Sequence, residues 1–123
     1  MKVLLSIKPK YADKIFSGEK KWEYRKKIWT REGVDFVEVY ASAPISKVIG
    51  QFQIVTIQRE YRRDIWWTTG EESGISFKEF KEYFKHSFYG YAIKICNPEL
   101  YGIPRDLKRA YGIKRPPQNF MYL

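Results

Sequence analysis

A single cysteine, Cys96, and a single histidine, His86, stand in a chain of 123 residues. One cysteine excludes a disulfide framework and any cysteine-rich zinc site. One histidine leaves a triad or an imidazole metal centre to rest on His86 alone, so no metal site is expected. Apolar runs such as Val3-Leu4-Leu5 are only a few residues long, far short of the roughly 20 that a membrane-spanning helix needs. The start, Met1-Lys2-Val3-Leu4-Leu5-Ser6-Ile7-Lys8, is basic, but Lys8 cuts its apolar run too short for a signal peptide. Neither G-x-G-x-x-G nor a Walker A loop is present to cradle phosphates. Two consecutive short helices joined by a tight glycine turn are also missing, which argues against a recognition helix in a duplex groove. A soluble, cytoplasmic protein without a cofactor is the expectation.

What is present is apolar, aromatic and basic. Hydrophobic residues make up 44% and aromatics 18%, which excludes wholesale disorder. The length fits one domain over residues 1–123, large enough for a core without staples. The net charge of +9 is uneven, with +7 on residues 1–31, +4 on residues 101–123 and −2 between them. If the two ends meet in space they form one basic face, the footprint of a polyanion binder. Cations and rings alternate through Lys20, Lys21, Trp22, Tyr24, Arg25, Lys26, Lys27, Trp29 and Arg31. Those are the ingredients for contacting phosphates and stacking bases, although aromatics on a strand often serve a core.

Patterning predicts more strand than helix. Val3–Ile7 reads as a buried strand, and a helix follows from Pro9 with apolar positions at Tyr11, Ala12, Ile15 and Phe16, ending at Gly18. Strands are expected over Lys21–Trp29, Asp35–Ala41 and Val48–Arg59, the last with a bulge at Gly50. Tyr61–Gly74 reads as irregular, with Trp66 and Trp67 anchoring it as a hydrophobic plug. Ser76 and Glu79 form a capping box, and Ile75 can staple onto Phe80, so a helix runs from Ser76 to Lys85. Phe88–Cys96 alternates as a half-buried strand, Pro104–Tyr111 is a short helix, and Pro116-Pro117 opens an extended tail. No βαβ alternation is evident. An α+β fold follows, a small mixed β-barrel or curled sheet with peripheral helices.

The informative stretch is Gly18-Glu19-Lys20-Lys21-Trp22-Glu23-Tyr24-Arg25. Glu23 and Arg25 lie two apart on a strand and share a face, which sends Trp22 and Tyr24 to the other face and the core. The pair reads either as an ordinary ion pair or as a polar cleft in which Arg25 and Lys20 meet an anion or a base edge while Glu23 accepts from an amino group.

Gly18, Lys20, Glu23 and Arg25 fill the G-x-K-x-x-E-x-R signature, and the chain resembles the ASCH domain family, of PUA-like fold. Ser6–Tyr11, Tyr40–Pro44, Val48–Phe52 and Gly90–Ile95 extend the likeness. Pro116–Phe120 resembles the ending of a subgroup regarded as regulators of transcription or translation. The resemblance implies a β-barrel with a cleft beside the junction at Gly18, binding single-stranded RNA or a nucleotide. It places Lys8, Gly18, Lys20, Lys21, Glu23, Arg25, Lys27, Ser42 and Gln118 at or near that cleft, with residues 105–115 along its rim.

Two enzymatic alternatives accompany this reading. Some small members of the family hydrolyse an amide on a modified cytidine, using a Lys after the glycine, a Thr nucleophile and a downstream Glu. Lys20 matches the Lys, but Glu23 occupies the position of the Thr, and a carboxylate does not replace a hydroxyl nucleophile. Glu23 would then act as general base for water, with Glu60, Glu71 or Glu72 as a second carboxylate. Ribonuclease activity is the other alternative, with Lys20 and Arg25 stabilising charge on a phosphate. Lys20 and Glu23 are the candidate catalytic residues in either case. His86 reads as a helix C-terminal residue, Cys96 as a small hydrophobe closing a strand, and Arg59, Arg62 and Arg63 as a solvated rim.

Overall fold

The computed structural model describes all residues 1–123. Six strands form one mixed sheet: β1 (Lys2–Ile7), β2 (Trp22–Arg25), β3 (Phe36–Ala41), β4 (Lys47–Tyr61), β5 (Tyr89–Arg105) and β6 (Phe120–Tyr122). Their order is β2-β5-β4-β3-β1-β6, with β1 parallel to β3 and the other pairs antiparallel. Helices α1 (Pro9–Ser17), α2 (Arg62–Thr69), α3 (Phe77–Tyr83) and α4 (Leu107–Tyr111) lie around the sheet. The result is a half-barrel with peripheral helices.

Strand parity divides the packing. Val3, Leu5 and Ile7 join Val37, Val39, Phe52, Ile93 and Ile95 in the main core, closed by Ala12 and Ile15 of α1. Trp22 and Tyr24 face the other way and pack with Ile65 of α2, Phe80 of α3 and Phe84 just after it. A third cluster holds Leu4, Tyr40, Val48 and Leu107 of α4. The two ends of the chain are neighbours, because β1 pairs with β6 from Val3↔Tyr122 to Leu5↔Phe120.

Several boundaries differ from the sequence expectation. β2 stops at Arg25 because Trp29 turns inward and packs edge-on to Phe120, 5.9 Å between centroids. β5 runs through Cys96 to Arg105, absorbing Asn97 at a positive φ of 48° where its register against β4 shifts. Cys96 is therefore mid-strand and half-buried rather than a strand end. Pro104 belongs to β5, and α4 begins only after the Asp106 cap, whose carboxylate accepts from the Arg109 amide at 2.9 Å. The segment after Tyr61 is the helix α2 rather than irregular chain. Trp66 plugs it against Phe77 and Phe80, whereas Trp67 is 88% exposed and plugs nothing. The bulge at β4 sits at Ile49, where Val39 and Tyr40 pair with Gly50 and Val48.

Candidate functional site

Turns at Gly18 and Gly74 assemble the site. Gly18 ends α1 in the left-handed region, φ 85°, and reverses the chain so that the Lys20 amide bonds to Lys14 O at 2.9 Å. The Lys20 side chain then passes beneath Gly74, where a Cβ would approach Lys20 Cβ to 2.9 Å. Its Nζ donates to Ser73 O at 3.0 Å and lies 3.7 Å from Glu23 Oε1. Lys20 is only 3% exposed, and that burial lowers its pKa from the usual 10.5, with Glu23 opposing the shift. The rings of Tyr24 and Tyr11 stand 5.1 and 5.7 Å from the ammonium.

Arg25 lies on the other side of Glu23, Nη1 to Oε2 at 3.2 Å. The guanidinium also bridges the open seam of the half-barrel, donating to Ser6 O and to Asn119 O, each at 3.3 Å, and to the Asn119 side chain. Its Nε is buried without a protein partner. The Glu23–Arg25 pair is thus an ion pair, as the simpler sequence reading has it, and it sits at the floor of a cleft.

Above this buried triad opens a cavity of about 1090 Å³. Lys8, Lys20, Glu23, Arg25, Lys27 and Gln118 line it; Gly18, Lys21 and Ser42 do not. Gly18 only turns the chain, Lys21 points away to Glu72 at 3.4 Å, and the Ser42 amide is spent on Ile7 O at 3.0 Å. The expected rim of 105–115 is also absent, because α4 docks on Leu4 and Tyr40 instead. Glu60, Glu71 and Glu72 lie outside as well; the additional carboxylates at the cleft are Glu79 and Glu82.

The sequence reading missed α3 as a wall of the cleft. Lys78, Glu79, Glu82 and Tyr83 line it, together with Tyr11, Lys26 and Asn119. Asn119 could have been found as the neighbour of Gln118, whereas nothing local in the polar face of α3 points to the cleft. The capping box on this helix does form, and it places Glu79 beside Tyr11, whose hydroxyl donates at 2.8 Å. The Ser76 amide, Tyr11 and Lys10 together hold the Glu79 carboxyl down to about 2. Burial, with that bond to Glu79, pushes the Tyr11 hydroxyl up to about 12.

The charges are not balanced. Glu23 is taken by Lys20 and Arg25, Glu79 by Lys10, and Glu82 by Lys85. Lys8, Lys26, Lys27 and Lys78 are exposed around the mouth and have no carboxylate within ion-pair distance.

A mixed half-barrel whose seam is bridged over a Lys–Glu–Arg triad defines a PUA-like fold with a basic cleft. Residues 5–99 match the ASCH domain, and the chain belongs to that family. An ASCH domain-containing ribonuclease of Zymomonas mobilis is 27% identical over 122 residues, covering 98% of this chain and 82% of that protein. A large ribosomal subunit protein uL22 of Ureaplasma parvum serovar 3 is 28% identical over 121 residues. This chain spans 39% of that protein's length. The crystal structure of ZmASCH from Zymomonas mobilis superposes with a TM-score of 0.91 at 25% identity, covering 99% of this chain and 87% of that one. No helix is long and apolar enough to cross a membrane.

Proposed function

We propose that the chain binds single-stranded RNA in the cleft over Lys20, Glu23 and Arg25. The carrying observation is the ring of four lysines without acidic partners around a concave site whose floor holds two further cations. Such a groove favours a phosphate backbone, and Tyr11 and Tyr83 offer ring surface to bases, with no recognition helix required. Binding without cleavage would suit a regulatory domain.

Ribonuclease activity is the second reading. It is favoured by the burial of Lys20 against Glu23 and by the name of the Zymomonas relative. Lys20 and Arg25 would stabilise the charge that develops on a phosphate. Amide hydrolysis is less well supported: Ser6 lines the cleft, but its hydroxyl is committed to Pro117 O at 2.6 Å.

Fluorescence anisotropy of a labelled single-stranded RNA tests the proposal, comparing wild type with Lys26→Gln/Lys27→Gln, followed by a denaturing gel. If the four unpartnered lysines each meet a phosphate, the log–log salt slope is about −3, and it shrinks by about one and a half in the double variant. Intact RNA supports binding alone; scission lost in Lys20→Met supports the second reading. Wild type that binds no RNA at low salt overturns both.

A further inference from the structure

The sheet face that carries Glu23 and Arg25 continues outward past the cleft. Arg25 is the cross-strand partner of Tyr91 on β5, and Tyr91 is in turn the partner of Arg59 on β4. One step further along the strands, Tyr89 pairs with Tyr61. Residues two apart on a strand share a face, so Tyr89 and Tyr61 stand on the side of the sheet that bears Arg25. The step between the two rows is about 6.8 Å. Lys26 and Lys27, which line the cleft, follow Arg25 directly where β2 ends.

Tyr61 and Tyr89 are stacked, 4.5 Å between centroids with planes 23° apart. The Arg59 guanidinium lies 4.8 Å from the centre of the Tyr89 ring. Aromatic cross-strand pairs usually cover a core. This pair covers none: both rings lie outside all three apolar clusters and are 51% and 43% exposed. A stacked aromatic surface with a guanidinium against it, on the same face as a basic cleft, has the composition of a single-strand stacking platform.

We infer that Tyr61, Tyr89 and Arg59 form an outer subsite for the strand held in the cleft. A base beyond the cleft stacks on the tyrosine pair, and Arg59 meets its phosphate. This inference rests on the cleft reading. Charge complementarity and the shared sheet face select an extended polyanion with flat bases as the occupant.

The test compares a labelled tetranucleotide with an oligouridylate of about ten residues, within the usual range of single-strand site sizes. Tyr61→Ala/Tyr89→Ala is expected to weaken the longer strand by about fivefold or more, the usual loss on removing a stacking ring. The tetranucleotide is expected to bind unchanged, because it fills only the cleft. Tyr61→Phe/Tyr89→Phe keeps the rings and is expected to bind both lengths as wild type does. Equal affinity of wild type and the alanine pair for the longer strand overturns the subsite. Equal weakening of both lengths also overturns it, since the pair would then act through the fold. Failure of the cleft reading has a different signature: Lys26→Gln/Lys27→Gln would bind both lengths as tightly as wild type. That result would remove the subsite as a continuation of the cleft.

Discussion

Arg25 and Asn119 close the half-barrel across its seam, with Nη2 donating to the Asn119 carbonyl at 3.3 Å and to its side chain. A strand at one edge of the sheet is thereby tied to the segment leading into β6 at the other edge. The contact also keeps Gln118 and Asn119 at the cleft. Asn119→Ala strips one acceptor from a nearly buried guanidinium. It is expected to lower unfolding stability by about 1–3 kcal/mol, measured by urea denaturation.

The lysines of the cleft fall into two groups that mutagenesis separates. Lys20 is buried between Glu23 and Ser73, so Lys20→Met leaves Glu23 with Arg25 alone. Breaking a buried pair costs about 3–5 kcal/mol, and the remaining partner puts this case toward the lower end. Lys26→Gln/Lys27→Gln touches only exposed side chains and is expected to stay within about 0.5 kcal/mol per site. RNA affinity falls in both variants, and stability falls in the first alone; urea curves beside anisotropy check this.

Acid sensitivity has an identifiable source in Glu79. Its carboxyl is held near 2 in the folded chain against an ordinary 4.5. Between those values the unfolded chain binds more protons. The stability that Glu79 contributes is therefore full above about pH 4.5 and is lost as pH falls toward about 2. Glu79→Gln is expected to flatten that part of the stability profile, measured by thermal unfolding across the acid range.

At Gly50, β4 passes close to the Glu99 backbone and the Phe16 ring. A Cβ there would meet the Glu99 carbonyl and come within 2.6 Å of the Phe16 ring. Overpacking of this kind costs about 1–3 kcal/mol. Because one neighbour is backbone, Gly50→Ala is expected at the upper end, read from a shift in the denaturation midpoint.

Local rules read much of this molecule correctly. Pro9 and Gly18 bracket α1, Ser76 and Glu79 cap α3, and parity sends Trp22 and Tyr24 to the second core. Non-local packing explains the misses. Asn97-Pro98 looks like a chain break, yet β4 holds β5 together across the irregularity. α2 has a weak apolar face, with Ile65 and Thr69 as its buried residues, so its helicity depends on the cover given by Phe80 and Phe84. In the site, spacing paired Glu23 with Arg25, while the turn after Gly18 and the family signature, not strand parity, brought Lys20 to them. The wall supplied by α3 was not legible, because Lys78 and Tyr83 reach the cleft only through tertiary contact. Ser42 and residues 105–115 failed for the same reason in reverse.

The central claim, that RNA lies over the Lys20–Glu23–Arg25 floor, is tested most directly by mapping amide chemical shifts. A ¹⁵N-labelled sample would be titrated with a short single-stranded RNA. The account predicts that shifts concentrate on residues 6–8, 20–27, 78–83 and 118–120, the four segments that build the cleft. Shifts confined to Tyr101–Tyr111, on the face covered by α4, would contradict it.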